Sequence, residues 1–143
     1  MPQPSTAVLM FVAYRHAEKR IVDFLAESGF GDITLAQGRI AARLSEDGLR
    51  LTELAEQAQV TKQTAGFLVD QLEAAGYVER VPDPSDARAR LIRLAPRGRQ
   101  VQRRARVMER RIEAEWERHL GAERMADLHA SLADLREITD PYR

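Results

Sequence analysis

The sequence predicts a mainly α-helical chain with one small β-hairpin, and three observations predict it. Apolar residues recur at helical spacing towards both ends of the chain. Two shorter helical runs in the middle are separated by little more than Gln59 and Val60. Directly after them, the strand-like runs "YVERV" and "RLIRLA" flank the turn-forming stretch "PDPSDARA". With 143 residues, 44% of them hydrophobic, the chain is long enough for one domain with a real core.

Each element has its own signal. From Ser5 to about Glu27, Val8, Val12, Ile21 and Leu25 mark one helix face until "ESGFGD" breaks it with two glycines. "TLAQ", Thr34 to Gln37, has the form of a capping box and opens a helix through Leu44. "SEDG" turns the chain, and "LRL", Leu49 to Leu51, is short and strand-compatible. Thr52 is placed to cap a brief helix, "ELAEQA", with Leu54, Ala55 and Ala58 as its buried face. Thr61 caps the next, "KQTAGFLVDQLEAAG", in which Ala65, Leu68, Val69, Leu72 and Ala75 share one face. Gln63, Phe67, Asp70 and Ala74 lie opposite, and Gly76 ends the helix as a left-handed C-cap. After the hairpin, Pro96 starts a helix with Val101, Ala105, Met108, Ile112 and Trp116 along one stripe and Arg99, Arg103, Arg106 and Arg110 opposite. Beyond Gly121 a last helix carries Met125, Leu128, Leu132, Leu135 and Ile138.

A connection as short as Gln59–Val60 cannot lay two helices side by side. It favours a crossing of about 90 to 120°, a helix-turn-helix, with Ala55 allowing close approach and Val60 filling the corner. A hairpin directly after it is a wing. The expected fold class is therefore a winged helix-turn-helix, residues 33–95, with N-terminal (1–32) and C-terminal (96–143) dimerisation helices, forming one intertwined domain. The terminal helices have too little of their own chain to pack against, so a second copy is the economical partner, and a homodimer is expected.

Zero net charge hides a strong partition. Residues 88–111 hold ten basic residues and one acidic, whereas residues 112–143 hold four basic and eight acidic. The basic run reads either as a solvated face partnered by the acidic segment or as a nucleic-acid footprint. Thr61, Lys62, Gln63 and Thr64 put hydroxyl, ammonium and amide donors at a helix N-terminus, suited to phosphates, and Gln63 suits a bidentate contact to adenine in a major groove. Read more plainly, they are a capped polar helix end. Arg88 and Arg90 sit where a hairpin tip reaches a minor groove, or where edge charge blocks sheet aggregation. Asp83 and Asp86 suit Asx turns.

Several classes of function fall away. With no cysteine there is no thiolate nucleophile, disulfide or cysteine-ligated zinc. His16, His119 and His129 are not spaced as a paired metal motif, and neither a phosphate-binding glycine loop nor a nucleophile turn is present. No catalytic residue, metal or cofactor is expected. The longest apolar run, "AVLMFVAY", is too short to span a membrane, and "MPQPST" lacks the basic start of a signal peptide, so a cytoplasmic chain without a membrane partner is expected.

"LAQGRIAARL" and "LTELAEQAQVTKQTAGFLVDQLEAAGYVERVPDPSDARARLIRLAPRG", with the helices on either side, resemble the MarR family of bacterial transcription regulators. The resemblance implies a recognition helix in the major groove, an Asp-x-Arg wing tip (Asp86 and Arg88) with Arg in the minor groove and Asp bracing it, and a homodimer built from the first and last helices. It further implies a pseudopalindromic double-stranded DNA operator and, commonly, a pocket for small phenolic or lipophilic effectors; which residues would line that pocket is unknown. Three positions depart from the family pattern: Phe67 stands where a polar or basic residue is common, Gly66 where a hydroxyl is frequent, and Ala95 where a Thr usually caps the following helix. The reading is a DNA-binding repressor relieved by a small molecule, with DNA contacts at Thr61, Lys62, Gln63, Thr64, Phe67, Asp86, Arg88 and Arg90. The alternatives are a winged-helix interaction module that binds no DNA, or a regulator with no ligand.

Overall fold

The computed structural model describes residues 2–142, in eight elements. They are α1 (Thr6–Glu27), α2 (Leu35–Ala41), α3 (Leu51–Ala58), α4 (Lys62–Ala74), β1 (Val78–Asp83), β2 (Asp86–Leu94), α5 (Pro96–Leu120) and α6 (Ala122–Thr139). Local chemistry sets most of the boundaries. The Ser5 hydroxyl accepts from the Val8 amide at 3.3 Å, and the box of Thr34 and Gln37 closes in both directions at 3.1 Å. The Thr61 hydroxyl accepts from the Thr64 amide at 3.0 Å. Gly76, at φ +81°, ends α4 in the left-handed manner expected.

Other boundaries differ from expectation, each for a physical reason. Helix α2 stops at Ala41, because the Arg43 and Leu44 amides take tighter bonds to Ile40 and Ala41 while the Leu44 side chain turns into the core. Thr52 does not cap α3. The helix begins at Leu51, two residues earlier than expected, with Arg50 in the capping position but its side chain bound to the hairpin instead of the helix end. Of "LRL", only Leu49 is strand-like, exchanging both backbone bonds with Ile92 at 2.8 and 2.9 Å.

Helices α3 and α4 are joined through Gln59, which takes a left-handed conformation (φ 59°, ψ 42°) although it is not glycine. Ala55 is buried as expected, but Val60 is exposed and does not fill the corner; a bond from its amide to the Ala55 carbonyl, 3.0 Å, fixes the junction. The hairpin turn is also tighter than the eight residues expected. Only Pro84 and Ser85 turn, because the Asp83 carboxylate accepts from both the amide and the hydroxyl of Ser85, at 2.8 and 2.7 Å. Pairing runs in register from Val78 with Leu94 to Pro82 with Arg90, then jumps to Asp83 with Asp86, so residues 87–89 bulge at the tip.

One core gathers Leu25, Ile33, Ile40, Leu54, Ala65, Val69, Leu72, Tyr77, Ile92 and Leu94 beneath α2, α3, α4 and the hairpin. A second, of Phe24, Met108 and Ile112 with Trp116 against it, joins α1 to α5. Helix α5 begins with Ala95 as an N-cap lacking a side-chain bond and Pro96 in its first position. Its first turn lies so close to the end of α4 that a Cβ on Gly98 would stand 2.1 Å from the Tyr77 carbonyl oxygen.

The far ends of the terminal helices lie open. Val8, Leu9, Phe11, Val12 and Tyr14 are each about half exposed, Leu128, Leu132 and Leu135 are exposed, and α6 buries no residue. The basic block does not pair with the acidic C-terminal segment among the described residues. Arg97 bonds Asp32, Arg99 pairs with Glu46, and the guanidinium groups of Arg104 and Arg111 lie over the Phe24 ring. Aromatic faces and the α1–α2 loop take much of the charge.

Candidate nucleic-acid interface

Helix α4 presents its N-terminus to solvent. Thr61, Lys62, Gln63 and Thr64 are all exposed, and the Thr61 and Thr64 hydroxyls bond each other at 2.9 Å. One turn on, Phe67 is exposed as well. Asp70 and Glu73 on the same outer side are bridged by Arg80 of β1, at 2.7 and 2.8 Å. That pairing offsets the two carboxylates that would otherwise repel a phosphate backbone.

At the wing tip, Asp86, Arg88 and Arg90 are exposed. The Asp86 carboxylate accepts from the backbone amide of Arg88 at 3.0 Å. Asp86 thus shapes the bulge through the Arg88 backbone and leaves the guanidinium free. Arg88 has no ion pair among the described residues.

Arg50, which the sequence reading did not single out, holds this tip from below. It donates to Asp83 at 2.8 Å and lies 3.8 Å from Asp86. The bonds from Ser85, and then from Arg50, hold the Asp83 carboxyl below the usual carboxylate range. Arg50 and Asp83 are 33 residues apart, so no local pattern announces the pair.

A cavity of about 480 Å³ opens between α1, α2 and α5. Ile21, Val22, Leu25, Ile33, Leu94 and Val101 give it apolar walls. On one side Glu18, almost fully buried, accepts two hydrogen bonds from Arg39 at 2.8 and 2.9 Å and one from the Tyr14 hydroxyl at 2.9 Å. The Arg39 bonds hold the Glu18 carboxyl below its ordinary range despite its burial, and burial raises the Tyr14 phenol. Among the described residues no cluster of three or more His, Asp or Glu side chains is placed to hold a metal, and no helix is long and apolar enough to cross a membrane.

A latch joins this cavity's frame to the end of α4. Arg97 of α5 lies 4.2 Å over the Tyr77 ring, donates to the Ala75 carbonyl at 2.6 Å and reaches Asp32 at 3.3 Å. The Tyr77 hydroxyl donates to the same Asp32. Burial first, and then the neighbouring carboxylate, push the Tyr77 phenol up to about 12, while the bond from Tyr77 holds Asp32 low.

Comparison with known proteins accords with this arrangement. Residues 31–89 match the sequence profile of the MarR family. Wild-type MarR from E. coli, in its apo form, is similar at 21% identity over 94% of this chain and 98% of that one, with a TM-score of 0.74. A transcriptional regulator from Thermotoga maritima shares 27% identity over 94% and 92% of the two chains, with a TM-score of 0.65. A MarR family protein of Mycobacterium tuberculosis, solved in complex with salicylic acid, shares 27% over 93% and 97%, with a TM-score of 0.69. Among proteins with curated descriptions, none matches the chain in sequence.

Proposed function

For this chain, a winged-helix protein of the MarR family, we propose the function of a homodimeric repressor that binds a pseudopalindromic operator and is released by a small molecule. Proteins of this family are transcriptional regulators, not enzymes. The observation that carries the reading is a pair of exposed, donor-bearing surfaces on one winged helix. One is the donor-rich N-terminus of α4, and the other is a wing-tip arginine with no ion pair among the described residues. Thr61, Lys62 and Thr64 serve phosphates, Gln63 and Phe67 face bases in the major groove, and Arg88, with Arg90 beside it, enters the minor groove from a tip shaped by Asp86.

Residues 33–95 read the DNA in this proposal, and residues 1–32 and 96–143 make the dimer. The exposed apolar faces of α1 and α6 support that division. The chain works in the cytoplasm. Its effector is a small aromatic or lipophilic molecule held in the cavity between α1, α2 and α5, and the salicylic acid complex of the M. tuberculosis relative supports this class.

The test is selection from random-sequence duplexes, followed by binding across a salt series and sedimentation. Enriched duplexes should carry two inverted half-sites about 10 base pairs apart, and affinity should fall steeply as salt rises. A monomer at micromolar concentration, or an affinity flat between low and physiological salt, would overturn the proposal.

A further inference from the structure

Phe67 is the anomaly of the outer face of α4. The residue is 62% exposed, and no aromatic or cationic side chain packs on its ring among the described residues. It lies between donors and paired acids, with Gln63 one turn before it and the Asp70–Arg80–Glu73 cluster after it. Gly66 beside it is not forced by packing, since a Cβ there would meet only Leu51, at an ordinary 3.7 Å. A large apolar ring left in water at the centre of a reading surface loses its hydration cost only against another apolar group. Within the major groove the apolar group that distinguishes one base from the rest is the C5-methyl of thymine.

We propose that Phe67 is a specificity-determining residue that reads a thymine methyl in each half-site, an inference that rests on the DNA-binding reading above. Gln63 and Phe67 lie four residues apart on one face, a rise of about 6 Å. That spans about two base-pair steps. The adenine suited to Gln63 and the thymine read by Phe67 therefore stand about two pairs apart in each half-site. On this flank Arg80 offsets part of the charge of the neighbouring carboxylates.

The experiment takes the duplex enriched by selection and replaces each thymine in turn with deoxyuridine, which removes the methyl and leaves the pairing edge intact. Affinity is read for wild type, Phe67→Ala and Phe67→Leu, with thermal melting confirming the fold of each. One thymine per half-site should be sensitive in wild type, at about fourfold, the worth of one buried methyl-sized group. Phe67→Ala should bind the thymine and uracil duplexes alike, and Phe67→Leu should keep part of the difference. If no uracil substitution weakens wild type, or if wild type and Phe67→Ala lose affinity equally at every position, the methyl contact is wrong although the chain binds DNA. If selection enriches no duplex at all, the DNA-binding reading itself falls.

Discussion

At the scale of single residues, the wing tip separates charge left free of partners from the charge that holds the protein together. Arg88 projects from a bulge and has no ion pair among the described residues, whereas Arg97, Arg99, Arg104 and Arg111 are engaged within the chain. Arg88→Ala is therefore expected to cost about 1 to 3 kcal/mol of operator binding per half-site, and Arg110→Ala, at the far end of the basic block, almost nothing. Because Asp86 shapes the tip by accepting from the Arg88 amide, Asp86→Asn keeps an acceptor and should bind nearly as wild type. Asp86→Ala should fall towards Arg88→Ala. Operator titrations at fixed salt decide it: weakened binding by Asp86→Asn to the level of Asp86→Ala would show that the carboxylate's charge matters, and strong damage by Arg110→Ala with the dimer intact would place α5 on the DNA.

Among the elements, what the sequence makes legible is whatever closes within one turn. Thr34 with Gln37, and Thr61, announce their helices because a cap and its amides are three residues apart. Long-range partners leave no such trace. Thr52 looks like a cap, but the start of α3 is set by Arg50, whose partner Asp83 lies on another element. The eight-residue turn shrank to two for a related reason, since a single carboxylate can hold a turn that composition alone makes look long. Of the candidate site, the polar residues were readable as types at positions, whereas Arg80's hold on Asp70 and Glu73 required the fold. Helix α5 keeps a local deficit that was readable, Ala95 at its N-cap. Ala95→Ser should supply the missing acceptor, add about 1 kcal/mol and raise the melting midpoint by about 2 to 4 °C. An unchanged or lowered midpoint would mean the hydroxyl does not reach the first-turn amides.

For the molecule as a whole, stability should narrow at both ends of the pH scale through identifiable groups. Glu18 and Asp32 titrate below their ordinary values of 4.5 and 3.8 in the folded chain. Their contribution is complete above those values and is lost as pH falls through the lower folded ones. Tyr77 behaves oppositely: raised from 10.0 to about 12, it supports the fold fully below 10.0 and loses that support as pH rises towards 12. Thermal midpoints across pH should fall less steeply in acid for Glu18→Gln than for wild type, and less steeply in alkali for Tyr77→Phe; curves parallel to wild type would assign the losses elsewhere. The close seat of Gly98 on the Tyr77 carbonyl, locked by Arg97, has a mechanical meaning. Helix α5 has 25 residues, about 37 Å of nearly incompressible rod whose near end is welded to the exit of α4. Swung by about 5° at its far end, such a lever carries the near end through about 3 Å, close to one base-pair step. In the proposed dimer, the distance between the two reading heads is thus set by an angle, and a molecule wedged beside α5 needs to turn it only slightly to put both heads out of phase with the double helix.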